Sequence, residues 1–268
     1  MSAETHLTRI VEARLRQLEA QKATVNSVRL RAAAEARTER RDFAAALSRE
    51  GLAVIAELKR ASPSRGVIRQ DYRPAEIARG YQWAGAAALS VLTEEQFFHG
   101  SLDDLKTARQ ATDLPVLRKD FIVSEYQVYE SVAAGADALL LIVAALADGE
   151  LRELLSLSER LKIAALVEVH TEDELERAVA SGAKIIGVNN RDLKTLEVKV
   201  ETSYRLRPRI PRECLAVSES GIRSAEDLSR LAAAGFHAVL IGEHLLLQDD
   251  PGKALARLLA GALAPRAQ

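Results

Sequence analysis

Charged side chains gather at the ends of short apolar runs, and their types are those of acid–base catalysis. After the run 53–56 comes Glu57-Leu58-Lys59-Arg60-Ala61-Ser62-Pro63-Ser64. Glu57 and Lys59 are two residues apart, so on a strand they point to one side. Arg118-Lys119-Asp120-Phe121 follows the run 114–117, and Leu166-Val167-Glu168-Val169-His170 sets a carboxylate inside an apolar segment. Asn189-Asn190-Arg191-Asp192, Ser218-Glu219-Ser220-Gly221 and Gly242-Glu243 complete the set. An unpaired carboxylate is costly in an apolar site. Lys59, Lys119 and Arg191 can balance Glu57, Glu168 and Glu219. Crowding of this kind moves pKa values toward neutrality: a lysine among cations becomes an acid, and a desolvated glutamate exchanges protons near pH 7. Replacing Glu168 by glutamine is then expected to suppress turnover and, by removing a buried charge, to stabilise the fold.

A second signature concerns anions. Ser-Gly at 220–221 and Gly-Glu at 242–243 each follow a strand-like run and offer backbone N–H groups to a phosphate. The five histidines are scattered. His99 and His170 lie beside strand ends without a third ligand, and no metal is expected.

The elements that must hold these residues are strands and helices in alternation. Eight apolar runs appear, at 53–56, 88–92, 114–117, 138–143, 164–167, 185–188, 214–217 and 238–241. Most are continuous rather than alternating, as in parallel strands covered on both faces. Helix starts are expected at Thr171-Glu172-Asp173-Glu174 and Ser224-Ala225-Glu226-Asp227. Gly85, Gly135, Gly182 and Gly235 recur about every 50 residues, each placed to end a helix. Eight units of about 25 residues predict a (β/α)8 TIM barrel. An open doubly wound sheet is the alternative, disfavoured by the lack of a Gly-x-Gly-x-x-Gly after the first strand. In a barrel the active site lies at the C-terminal ends of the strands, where the charges fall.

Residues 1–48 stand outside the repeat and read as an N-terminal helical extension, with the barrel over 49–268. Leu7, Val11, Leu15 and Leu18 suggest one amphipathic helix. A second stretch runs over 28–36, and Asp42 caps a short third. The basic cluster Arg37-Thr38-Glu39-Arg40-Arg41 reads as a solvated helix end, since no aromatic residues interleave with it.

Composition bounds the function. The 268 residues carry 37 Lys plus Arg and 38 Asp plus Glu, a net charge of −1, which argues against a nucleic-acid partner. The longest apolar run, 138–147, is about half of a membrane span, so no membrane partner is expected. The first six residues lack an apolar leader, and the single Cys214 cannot form an internal disulfide. The expectation is a reduced, cytoplasmic enzyme, monomeric or weakly self-associating.

Taken together, the motifs resemble indole-3-glycerol-phosphate synthases. The resemblance runs through Glu57–Ser64, Ser90–Ser101, Leu117–Val123, Leu166–His170, Gly187–Leu193 and Ser218–Ile222, and it covers residues 50 to about 247. It implies a carboxy-lyase of tryptophan biosynthesis acting on 1-(2-carboxyphenylamino)-1-deoxyribulose 5-phosphate. The ring carbon bearing the carboxylate attacks the ketone, CO2 leaves and water is lost. By resemblance, Lys119 is the acid at the ketone oxygen, and Lys59 and Glu168 are the candidates for dehydration. Glu57, Asn189 and Glu219 hold lysines and hydroxyls, and Arg191 and Ser220 orient the substrate. Ser62 and Pro63 shape a loop over the anthranilate ring, with Phe98 and Phe121 packed near it. Gly221, Gly242 and the Glu243 amide bind the phosphate. Many relatives carry serine at the position of Glu243, whose carboxylate would repel a phosphate unless turned away. No organic cofactor is implied, since the reaction moves neither hydride nor electrons. Two rivals are a Schiff-base aldolase using Lys119 or Lys59 and a non-catalytic barrel that binds a partner through its N-terminal helices.

Overall fold

The computed structural model describes residues 5–263. The expectation about a leader rests partly on residues 1–4, which lie outside that range. Eight parallel strands close into a barrel: β1 (Ala53–Leu58), β2 (Ala88–Leu92), β3 (Val116–Lys119), β4 (Ala138–Ile142), β5 (Ala164–Val169), β6 (Ile185–Asn189), β7 (Leu215–Glu219) and β8 (Ala238–Ile241). β8 pairs with β1, so no edge is left open. A short antiparallel hairpin, Ala61–Ser62 with Gly66–Val67, stands above β1.

Alternation along the strands separates two cores. One side of each strand packs under the surrounding helices, as Val54, Leu89, Val116, Leu139, Val167, Ile186, Ala216 and Val239 do. The other side fills the barrel with Ile55, Leu117, Leu140, Leu166, Val217 and Leu240. The inward series continues upward into polar groups. Register puts Glu57 beside Ser90, Glu168 beside Gly187, and Asn189 beside Glu219.

Helix starts follow the sequence. Thr171 caps Glu172–Ala180 by accepting from the Glu174 N–H, and Ser224 caps Ala225–Ala233 by accepting from that of Asp227. Gly135 ends Glu125–Ala134 at φ 101°, a conformation that suits glycine.

Three helices precede β1: α1 (His6–Thr24), α2 (Ser27–Ala36) and α3 (Phe43–Leu47). Phe43 and Leu47 pack with Ala53, Ala88, Ala138 and Ala238, the first residues of their strands, and so plug the lower end of the barrel. α2 lies along the helix Glu125–Ala134. α1 reaches the opposite, upper end, where Arg14 donates to Asp120 just past β3 at 2.9 Å. Its inner face is Ile10, Ala13, Arg14 and Leu18, whereas Leu15 of the expected stripe is 47% exposed.

The basic cluster is neither a patch nor a solvated end. Arg37 donates to Asp137 at 2.8 Å, and Arg41 to the carbonyls of Leu114 and Arg109. These guanidinium groups clamp the extension to the chain entering β3 and β4. Among the described residues no helix is long and apolar enough to cross a membrane.

Candidate active site

The upper mouth of the barrel holds a cavity of about 330 Å³. Glu57, Lys59, Lys119, Glu168, Asn189, Arg191, Glu219, Ser220, Gly221, Gly242 and Glu243 all border it, together with Phe98 and Phe121. A smaller recess of about 80 Å³ lies alongside. It is bordered by Ser62, Pro63, Phe98 and Phe121, and also by Leu7 and Ile10 of α1. Every residue expected from the sequence therefore reaches one of two neighbouring hollows.

Lys119 is the hub. It ends β3 and points inward, donating to Glu168 Oε2 at 2.8 Å and lying 3.2 Å from Glu219. Burial acts to discharge the ammonium, but Glu168, Glu219 and Glu57 outweigh it and hold the pKa above the ordinary lysine value. The sequence suggested a lysine acidified among cations. The structure corrects this, because the groups around Lys119 are carboxylates.

The two acidic partners differ. Burial pushes the Glu219 carboxyl up to about 7; Lys119 pulls the other way and the Glu168 charge adds to the rise. For Glu168 burial works upward too, yet Lys119, His170 and the Asn189 amide overcome it and hold the carboxyl below the usual range. Glu57 forms a close ion pair with Lys59, both largely buried.

Asn189 Oδ1 accepts from the Arg191 N–H at 3.0 Å and the Ser220 hydroxyl at 2.9 Å, fixing the turns after β6 and β7 to one another. Ser220 and Gly221 both take positive φ, at 68° and 83°. Glu243 does not face the cavity unpaired. Its carboxylate receives the Arg65 Nε–H at 2.8 Å and stands 3.4 Å from Arg191.

Three residues to which the motifs assign no role support the site: Gly187, Asp120 and Glu94. Gly187 is inward on β6, and a Cβ there would collide with the Glu219 carboxylate; at Gly242 it would collide with that of Glu57. Glycine at these points makes room for the acids. Asp120 is fully buried, accepting from Thr93 at 2.6 Å, Arg118 at 2.8 Å and Arg14 at 2.9 Å. It holds the strand end that carries Lys119. Glu94 accepts the backbone N–H groups of Gln96, Phe97 and Phe98, folding the loop that sets Phe98 6.1 Å from Phe121. Buried carboxylates that bond backbone were hidden because neither run length nor charge balance distinguishes them from surface ones.

A family model described as Indole-3-glycerol phosphate synthase matches residues 7–258. The chain belongs to the indole-3-glycerol phosphate synthase family. Curated members agree over nearly their whole length. The indole-3-glycerol phosphate synthase of Chloroherpeton thalassium is 53% identical over 249 residues, covering 91% of this chain and 96% of that one. That of Mycobacteroides abscessus is 48% identical over 265 residues, covering 99% and 97%. Among solved structures, a mandelate oxidase overlays with a TM-score of 0.62 at 18% identity, covering 88% of this chain and 84% of the other. A thiamine phosphate pyrophosphorylase from Pyrococcus furiosus overlays at 0.59 and 16%, covering 80% and 96%. These two show the barrel fold alone. Within the indole-3-glycerol phosphate synthase family, the N-terminal helices of this chain are part of the matched region as well as the barrel.

Proposed function

We propose that the charged cluster at the barrel mouth performs the ring closure of this family. It converts 1-(2-carboxyphenylamino)-1-deoxyribulose 5-phosphate into indole-3-glycerol phosphate with loss of CO2 and water. The observation that carries the reading is Lys119, an ammonium held between two buried carboxylates at the floor of a cavity.

The anthranilate ring enters the recess between Phe98, Phe121 and Pro63, with Leu7 and Ile10 as its outer wall. Residues 1–48 thus act as an extension that completes the ring subsite, and 49–268 as the catalytic barrel. The phosphate lies at the far side, against the backbone of Gly221, Gly242 and Glu243, with Arg191 nearby. This stretches the substrate across the mouth and sets the ketone over Lys119.

As the ring carbon bonds to the ketone carbon, the oxygen gains negative charge. Lys119 faces it as an ammonium and supplies its proton, stabilising the charge as it forms. Glu219, with a carboxyl near 7, can return a proton to Lys119 at neutral pH. Loss of CO2 restores electrons to the ring. Water then leaves, with Lys59 as acid at the departing hydroxyl. Glu168, ionised throughout the neutral range, takes the proton released as the indole forms. Glu57 holds Lys59, and Asn189 and Ser220 orient the sugar hydroxyls. No step requires a metal or an organic cofactor.

The test is direct. The purified protein is mixed with the carboxyphenylamino-deoxyribulose phosphate and indole fluorescence is followed, with Lys119→Ala in parallel. Turnover is expected in the parent and a loss on the order of 10²–10⁴-fold in the variant, the range for a general acid. Equal rates in both would remove Lys119 from the role. Borohydride with substrate should trap no adduct, which separates this reading from a Schiff-base aldolase.

A further inference from the structure

His170 follows β5 directly, two positions beyond Glu168. Its imidazole is nearly buried, with 11% of the side chain exposed. Nδ1 lies 3.0 Å from Glu174 Oε2, and the same oxygen accepts the His170 backbone N–H at 2.7 Å. Glu174 is itself fixed in the first turn of its helix, where its N–H meets the Thr171 hydroxyl. The second ring nitrogen, Nε2, is buried without a hydrogen-bond partner and stands 3.4 Å from Glu168 Oε1. That separation makes a charge contact rather than a directed hydrogen bond. The other oxygen of Glu168 is the one that receives Lys119. Glu168 is thus held from two sides.

The groups around the imidazole are acidic. Glu168 faces it from β5, Glu174 from its helix, Glu219 from β7, and Asp192 from the loop after β6. Burial disfavours the charged ring, but the Glu174 bond and these carboxylates outweigh burial and raise the pKa above that of an ordinary histidine. The charge acts back on Glu168, helping to hold it ionised.

We propose that His170 is a positioning residue for the ring-closing reaction: braced by Glu174, its imidazolium holds Oε1 of Glu168 and keeps that group a carboxylate, with Oε2 turned to Lys119 and the substrate. The proposal rests on Glu168 being the base of the reading above. It extends the site by one helix, to Glu174, which does not border the cavity.

The experiment compares pH–rate profiles of the parent, His170→Gln and His170→Ala, over the range in which thermal melts show folded protein. Glutamine keeps an N–H donor without the charge. In both variants the acid limb of kcat should move upward by about one pH unit, the size expected when a neighbouring opposite charge is lost. Turnover on that limb should fall roughly tenfold, and the plateau should change less. A parental limb in His170→Gln would overturn the role of the charge. Should His170→Ala not fold, proton NMR of the intact parent still decides. The His170 ring should titrate above the ordinary histidine range, and lower in Glu174→Gln. A ring that titrates at or below the ordinary value overturns the proposal without reference to activity. Glu168→Gln is measured alongside: retained turnover there sinks the base reading itself, whereas an inactive Glu168→Gln with unmoved limbs sinks only the role of His170.

Discussion

Glu168 and Glu219 share the ammonium of Lys119, at 2.8 and 3.2 Å, and their carboxyls are displaced in opposite directions. Glu168 has His170 and Asn189 as further favourable partners. Glu219 has no directed hydrogen bond to either oxygen and feels the Glu168 charge.

That asymmetry has a signed consequence for stability. Glu219 titrates higher in the folded chain, at about 7, than when unfolded. Between roughly pH 4.5 and 7 the folded state binds more protons, so stability falls as pH rises. In Glu219→Gln this loss is absent, and the melting temperature relative to the parent should climb by a few degrees between pH 5 and 8. Glu168 has the reverse sign. Its depressed pKa contributes stability above the unfolded value and loses it as pH falls. Glu168→Gln should melt below the parent at pH 7, with the gap closing in acid. The sequence alone pointed to stabilisation by Glu168→Gln; the ion pair with Lys119 reverses that expectation. Melting curves of both variants at several pH values decide it, and a Glu219→Gln advantage that shrinks with rising pH would refute the linkage.

Room for the acids can be tested by filling it. Gly187→Ala and Gly242→Ala should each press a methyl group against a buried carboxylate of the cavity, Glu219 and Glu57 respectively, costing about 1–3 kcal/mol as overpacking and lowering kcat at least about tenfold if the proposed roles hold. Gly149 has nothing within 4 Å of its added Cβ, so Gly149→Ala serves as the control with unchanged kcat. Parental kcat in the first two would show that Glu57 and Glu219 yield freely.

Arg14 and Asp120 form an ion pair with side-chain exposures of 2% and 0%. Removing one member of such a pair costs about 3 kcal/mol, partly offset here by Arg118 and Thr93. Arg14→Ala should lower the melting temperature by several degrees. It should also raise KM more than it lowers kcat, because the same helix walls the recess proposed for the anthranilate ring. A variant with lowered stability and parental KM would confine Arg14 to holding the fold.

Glu243 competes for cations that a phosphate would use. With its carboxylate on Arg65 and near Arg191, Glu243→Ser should free both guanidinium groups and tighten inorganic phosphate about threefold to tenfold. Inhibition of turnover by phosphate measures this. Weaker inhibition would mean that the carboxylate orients the arginines instead.

Much of this was legible in the residues themselves. All eight strands begin within about two residues of the apolar runs. Several ends lay further on, because Glu57, Glu168, Asn189 and Glu219 are strand residues whose inward direction, not their polarity, decides their place. Phe98 and Phe121 sit in two separate motifs, and the family resemblance of both is what brings the rings together on paper, as they are in the fold. Less visible were Gly187, whose meaning depends on a carboxylate one strand away, and Asp120, whose partners come from α1, β3 and the end of β2. Leu15 fitted the helical spacing, yet the buried stripe runs through Arg14, because the helix docks on an ion pair as well as on apolar contacts.

The three N-terminal helices grip the barrel at both ends, and that fixes when they can be placed. Arg14 waits for Asp120, 106 residues later, and Arg37 for Asp137, 100 residues later. The pair at Asp137 can form only when the chain entering β4 is in place, and closing loops of that length costs entropy that local contacts avoid. Without these contacts Phe43 and Leu47 have no alanine floor to cover, and the smaller recess lacks the wall that Leu7 and Ile10 supply. The extension is thus held by contacts of long sequence separation, the kind that folding closes slowly, and the outer wall of the smaller recess is completed only with them.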